Sequence, residues 1–294
     1  MIAARAGRGF LLPGLLFLFA IDLVPLLYSA WVSLYDWWLV RPRDVRFVGL
    51  GNYLRLAADP EAGRAVVVTA LFTVGAVVVE FLAGLGLALL FVQPFRFLRP
   101  IRVLLLLPLF VVPVVGATMW RVIFHPEVGV LNYYLGALGL GQPAWLSDPT
   151  LALVSITLVD AWRTIPFMFL VLYAGLEVLP AELYEAAAVD GASRWQSFRH
   201  VTVPLLTYIM LVALLIRGMD AFREFDIIFV LTAGGPGTAT QTIQMLNYRV
   251  FGLGHMGMAN SIAIVTLVLV AVLCLVLIRA ILPPRRAAAG PAGA

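Results

Sequence analysis

Ionisable side chains fall inside long apolar runs of this sequence, among them Asp22, Glu80, Asp160, Arg163, Arg217, Asp220, Arg223, Glu224 and Asp226. Charge placed in apolar surroundings is costly, so such groups either mark a path for a polar solute or a proton, or neutralise one another. Asp160 and Arg163 are three residues apart and share a helical face, as do Asp220 and Arg223. Pairing within one helix accounts for them, and the same account is open for Glu80, Arg217 and Glu224. Asp160, Thr164 and Phe167 also share one face at helical spacing. They set hydrogen-bonding groups beside a flat ring, the combination that suits a solute with both hydroxyls and C–H surfaces. Covalent chemistry finds few candidates. All twenty basic residues are arginine, which excludes a phosphate-loop lysine and a Schiff-base lysine. The single cysteine, Cys274, can form no internal disulfide. His125, His200 and His255 are far apart and belong to no metal-binding pattern.

The elements that must carry these residues follow from composition. The chain has 294 residues, 62% hydrophobic and 12% charged, with a mean hydropathy of +0.99. Soluble domains are about one quarter charged, and a soluble fold cannot bury this much apolar surface. A membrane helix needs roughly 20 apolar residues. About six such segments are expected, near 10–33, 64–91, 103–124, 151–176, 203–231 and 259–282. The expected class is an all-α polytopic membrane protein: a cytoplasmic N-terminus at 1–9, a six-helix domain over 10–282, and a disordered cytoplasmic tail at 283–294. Pro25, Pro108, Pro113 and Pro166 lie inside the segments and are tolerated where neighbours satisfy the freed carbonyls. No small-residue cleavage site follows the first segment, and Trp31, Trp37 and Trp38 read as interface anchors. With both termini inside, ten arginines face the cytoplasm (Arg5, Arg8, Arg96, Arg99, Arg102, Arg194, Arg199, Arg279, Arg285 and Arg286) and six face outward (Arg41, Arg43, Arg46, Arg55, Arg64 and Arg249). That excess supports the orientation. The net charge of +4 reflects topology rather than nucleic acid.

Between the fourth and fifth segments, residues 179–206 read LPAELYEAAAVDGASRWQSFRHVTVPLL. Pro180 can open a helix, because its missing N–H is an orphan donor there anyway. Glu182 suits the positive end of the helix dipole. Leu183, Ala186 and Ala187 share a face, Gly191 is a stop signal, and Ser193 can cap a second short helix. A plain polar connection is one reading. A short exposed helix with a small-residue face, docking on a cytoplasmic partner, is the other.

EAAAVDGAS, followed by Val201 and Pro204, resembles the coupling-loop motif of permease subunits from bacterial ABC importers. Glu185, Ala186, Ala187, Gly191, Val201 and Pro204 match its pattern. FVGLGNY (47–53), PAWLSDP (143–149), DAWRTIPFMFLVLYAGL (160–176) and FDIIFVLTAGGPGTATQTI (225–243) extend the likeness. They place it nearest the sugar branch, beside permeases of maltose and trehalose importers. The resemblance implies a type I ABC-importer permease fold in the bacterial inner membrane and a disaccharide cargo. It implies a loop over 179–202 that couples to an ATPase through Glu182, Glu185, Ala186, Ala187, Asp190 and Gly191. It also implies four partners: a second homologous permease, two ATPase subunits that carry the ATP and magnesium, and an extracytoplasmic sugar-binding protein. No cofactor is expected on this chain, and no catalysis. Sugar-contacting positions of the maltose permease align with Phe110, Val114, Asp160, Thr164 and Phe167, and Asp220 and Arg223 would face the same cavity. Two alternatives have different signatures. Cargo such as glycerol 3-phosphate or its diesters would set phosphate against Arg163 and Arg223. An ion-coupled secondary transporter would use Glu80 or Asp160 and show an internal repeat, and none is evident.

Overall fold

A computed structural model of the chain describes residues 13–14, 16–92 and 98–281. Arg5, Arg8, Arg96, Arg285, Arg286, the start of the first expected segment and the expected disordered tail lie outside them. The described residues are almost entirely helical, with one two-residue antiparallel ribbon. In chain order they form α1 (Leu16–Val32), β1 (Tyr35–Asp36), β2 (Arg46–Phe47), α2 (Gly51–Ala58), α3 (Pro60–Phe91), α4 (Leu98–Phe110), α5 (Pro113–Ile123), α6 (Val130–Ala137), α7 (Pro149–Glu177), α8 (Ala181–Val189), α9 (Arg194–Ser197), α10 (Val203–Phe222), α11 (Asp226–Leu231), α12 (Ile243–Gly252) and α13 (Met256–Ile281). Among the described residues, four stretches are long and apolar enough to cross a membrane: Pro60–Phe91, Pro149–Glu177, Arg194–Leu231 and Met256–Ile281. The pair α4–α5 makes a fifth if read as one broken span, and α1 is a shorter apolar helix.

The expected third span, 103–124, is not one straight helix. α4 and α5 meet at an angle of 100°. Pro108 lies in a tight closing turn at Leu107–Phe110, and Val111 and Val112 are extended, with ψ of 124° and 133°. The ring of Pro113 disfavours helical geometry at Val112, and Pro113 then starts α5, where its missing N–H costs nothing. Pro166, by contrast, sits inside the unbroken α7. The start of α7 is held by the Asp148 carboxylate, which accepts from the backbone N–H groups of Thr150 and Leu151.

The chain divides into two compact units. The first comprises residues up to Val66 together with Ile243–Leu269. Its anchor is Asn52 of the FVGLGNY stretch, a buried amide donating to the carbonyls of Ser33 and Tyr35, both at 2.9 Å. Ser261 donates to the same Ser33 carbonyl at 3.1 Å, and Ser29 donates to Asn260 at 2.6 Å. Trp38 stacks on His255 and donates to the Leu253 carbonyl, so it is part of this packing as well as an aromatic near the ends of the spans. The Cα of Gly257 abuts the Tyr35 carbonyl, leaving no room for a Cβ.

The second unit comprises Val67–Thr242 and Val270 onward. Its apolar core joins α3, α7 and α10 through Phe91, Met168, Phe169, Leu172, Leu206 and Met210. The guanidinium of Arg102 lies 4.3 Å from the centre of the Tyr173 ring and donates to the Tyr173 hydroxyl at 2.7 Å, tying α4 to α7.

The close approach at Gly257 gives a paired test. Gly257→Ala should cost about 1–3 kcal/mol through overpacking and lower the unfolding midpoint of the protein in nanodiscs. Gly252→Ala, which meets nothing within 4 Å, should leave the midpoint unchanged or raise it. Intrinsic fluorescence on heating reads both.

Candidate functional site

The charged residues of the apolar segments converge in the second unit. Arg217 of α10 is buried at 2% exposure, and Glu80 of α3 and Asp160 of α7 are wholly buried. The Arg217 guanidinium forms a fork on Glu80, with Nε 2.5 Å from Oε2 and Nη2 2.9 Å from Oε1, and Nη2 also donates to Asp160 Oδ2. The hydroxyl of Thr164 lies 2.7 Å from Glu80 Oε1 and 2.6 Å from the Asp160 carbonyl. Arg163 reaches Asp160 at 3.5 Å and Glu224 at 3.6 Å. Three membrane-depth helices are therefore joined by one network of three carboxylates and two guanidinium groups. Pairing within a single helix holds for Asp160 with Arg163 and for Asp220 with Arg223 at 3.2 Å. It does not hold for Glu80 and Arg217, which pair across helices although α10 also carries Asp220, spent on Arg223; a charge buried at that depth needs a counter-charge.

A cavity of about 590 Å³ opens beside this network. Leu109, Arg163, Thr164, Phe167, Arg217, Asp220, Arg223, Glu224, Phe225 and Asp226 line it. Leu109, Phe167 and Phe225 supply apolar faces, and the rest supply donors and acceptors. Of the expected substrate positions, Thr164, Phe167, Asp220 and Arg223 are brought together here. Asp160 lies behind the wall, spent on Arg217 and Arg163. Phe110 and Val114 flank the α4–α5 bend as exposed side chains and do not line the cavity, where the neighbouring Leu109 does. Phe110 ends the closing turn of α4, and Val114 lies in the first turn of α5. Arg217, Glu224 and Asp226 line the cavity without having been assigned to the solute. The signal for them was their charge within apolar runs.

The 179–202 loop forms a second site. α8 begins at Ala181, with Pro180 extended immediately before it rather than as its first residue. Its end is a full backbone stop: Gly191 adopts φ +76°, its N–H donates to the Ala188 carbonyl, and the Ala192 N–H donates to Ala187. Ser193 and Gln196 then cap α9 reciprocally, with Ser193 N–H to Gln196 Oε1 at 2.7 Å and Gln196 N–H to Ser193 Oγ at 3.3 Å. Glu182, Glu185, Ala186, Asp190 and Gly191 are exposed and Ala187 is half-buried. Val189 and Trp195 are exposed as well, at 88% and 66%. The helix is folded by its caps yet covers little of its own chain.

Comparison with known proteins gives this arrangement its class. The family described as "Binding-protein-dependent transport system inner membrane component" matches residues 95–287, which include the bent pair, the residues lining the cavity, the loop and all of the charge network except Glu80. The chain belongs to this family and is a permease subunit of an ABC importer. It is 38% identical over 273 residues to a trehalose/maltose transport system permease of Thermococcus litoralis, covering 91% of this chain and 90% of that protein. It is 34% identical over 268 residues to the trehalose transport system permease of Mycobacterium tuberculosis H37Rv, covering 91% and 85%. A sulfoquinovosyl glycerol transport system permease of Agrobacterium fabrum is 34% identical over 256 residues, covering 87% and 83%. In fold it is similar to a chain of a bacterial ABC transporter involved in import of the acidic polysaccharide alginate, with a TM-score of 0.79 at 22% identity, covering 93% of each chain.

The network makes a stability prediction. Arg217→Met leaves Glu80 and Asp160 buried without their common counter-charge and should cost about 3–5 kcal/mol. Glu80→Gln keeps the shape and reduces the excess of carboxylates, so it should cost clearly less. Thermal unfolding of both variants in nanodiscs decides the order.

Proposed function

We propose that this chain forms one half of the translocation pathway of an ATP-driven, binding-protein-dependent sugar importer, with a disaccharide such as trehalose or maltose as cargo. The observation that carries the reading is the cavity itself: hydrogen-bonding groups and two aromatic rings gathered at membrane depth, the equipment a sugar needs for its hydroxyls and its C–H faces. The names of two of the relatives support the cargo class. The chain has six spans in the inner membrane with both termini cytoplasmic, the first containing α1 and the third being the bent pair α4–α5. It performs no covalent step. A second, homologous permease supplies the other half of the pathway, and an extracytoplasmic sugar-binding protein delivers cargo from above.

Two ATPase subunits bind ATP and magnesium below, one of them docking on α8. Glu182, Glu185 and Asp190 present negative charge to the ATPase, and Ala186 and Ala187 allow close backbone approach. Closure of the ATPases on ATP moves α8 and α9 with the inner ends of α7 and α10, to which they are directly joined in sequence. The network of Arg217 joins those same two helices, so displacement at the cytoplasmic end reaches the cavity wall.

The test is ATP hydrolysis by the reconstituted complex in lipid, with binding protein and a panel of sugars, for the native chain and for Glu185→Arg. The expected result is hydrolysis stimulated by one sugar and lost in the variant. Hydrolysis indifferent to Glu185→Arg refutes the docking role of α8.

A further inference from the structure

We infer that this chain's wall of the pathway selects uncharged cargo and rejects anionic sugars, such as phosphate esters, by an excess of fixed carboxylates. The inference rests on the cavity being the cargo site, as proposed above. Taken alone, the arginines of the lining suggest the opposite, an anion site in which Arg163 and Arg223 hold a phosphate. The geometry disfavours that option, because every guanidinium at the cavity already lies against a carboxylate, although Arg163 Nε and Arg217 Nη1 keep no hydrogen-bond partner. Arg217 is forked on Glu80 and shared with Asp160. Arg163 lies against Asp160 and Glu224. Arg223 donates through Nη2 to Asp220 and through Nε to the Met219 carbonyl.

The charge count points the same way. The three guanidinium groups face Asp220, Glu224 and Asp226 in the lining, and Glu80 and Asp160 stand directly behind Arg217. Carboxyl groups outnumber guanidinium groups five to three in and directly behind the wall. An incoming phosphate must displace a carboxylate from its guanidinium or lie beside one, and in a partly enclosed cavity either is far less screened than in water. A hydroxyl has no such difficulty, since it can donate to a carboxylate whose other lone pairs remain on arginine. The same excess that repels an anion therefore supplies acceptors for a neutral polyol. This is selection by repulsion as well as by fit.

Asp220 and Asp226 are the residues through which to test it, because both are exposed and stand outside the buried network. Their replacement by asparagine keeps the side-chain shape and the fold while it removes two negative charges and frees Arg223. Equilibrium binding of radiolabelled trehalose and of its 6-phosphate is measured on the whole permease–ATPase complex in nanodiscs, without binding protein, so that selection by the binding protein does not enter. The ester is expected to bind at least about tenfold more weakly than the neutral sugar, and the gap should close to about threefold or less in the Asp220→Asn/Asp226→Asn variant. Ester binding as tight as that of the sugar overturns the charge selection and leaves the pathway intact. A gap that is the same in the native and variant complexes also overturns it, since other groups then exclude the ester. Binding of neither compound to the native complex overturns the assignment of the cavity to cargo, and this inference with it.

Discussion

A guanidinium group without water must have its charge answered by protein, and Arg217 is answered by two carboxylates on two other helices. That constraint sets the relative rotation of α3, α7 and α10. Glu80 and Asp160 must face Arg217 simultaneously, so the faces of α3 and α7 that carry them turn inward together. Once Asp160 points at Arg217, Thr164 one turn later falls beside Glu80, and Arg163 and Phe167 fall along the cavity edge. The polar lining is thus a by-product of satisfying one buried charge. Ionic contacts of this kind contribute little net stability compared with apolar packing, but they tolerate few alternative arrangements, because any slip of a helix leaves a charge uncompensated.

Much of the architecture was legible in the sequence because its causes are local. Most of the apolar segments of membrane length and the stop at Gly191 each rest on a few neighbouring residues, and the structure carries them at those places. The capping role of Ser193 was equally readable, since its partner Gln196 is three residues away. The site was legible only in part. Asp160, Thr164 and Phe167 shared a face as their spacing required, but the partner of Glu80 is 137 residues along the chain, and nothing in the spacing of either residue points to the other. The bend between α4 and α5 was signalled by Pro108 and Pro113. Tolerance of proline in membrane helices, which holds for Pro166, concealed the fact that two prolines with extended valines between them break this one. Phe110 and Val114 were assigned by resemblance, and in the structure they are exposed at the bend while Leu109 lines the cavity.

The same break shapes the cavity. A straight third span would bring its side chains past α7 along a line, whereas the sharp turn leaves Leu109 at the lining and sends α5 off in a new direction. α11 packs beside α5, and the Arg121 side chain donates to the Val230 carbonyl at 3.2 Å. The segment from Asp220 to Asp226, in which α10 stops and α11 begins, then lies opposite Thr164 and Phe167. Helix interruptions in two places, both within apolar runs, make the room that uninterrupted helices would fill with packed side chains.

The terminal caps of α8 carry a kinetic consequence. A recognition helix that folds upon binding must be ordered at the moment of contact and gives up part of its gross affinity in doing so. Here the Gly191 stop closes α8 and the Ser193–Gln196 box opens α9, so both are formed in the chain without a partner. A partner docking there as proposed would meet a surface already in its final shape, with little ordering entropy to overcome. In the docking proposed for α8, assembly would be governed by how fast the helix is found and how tightly it is gripped, and the grip could be loosened and remade without the helix itself melting.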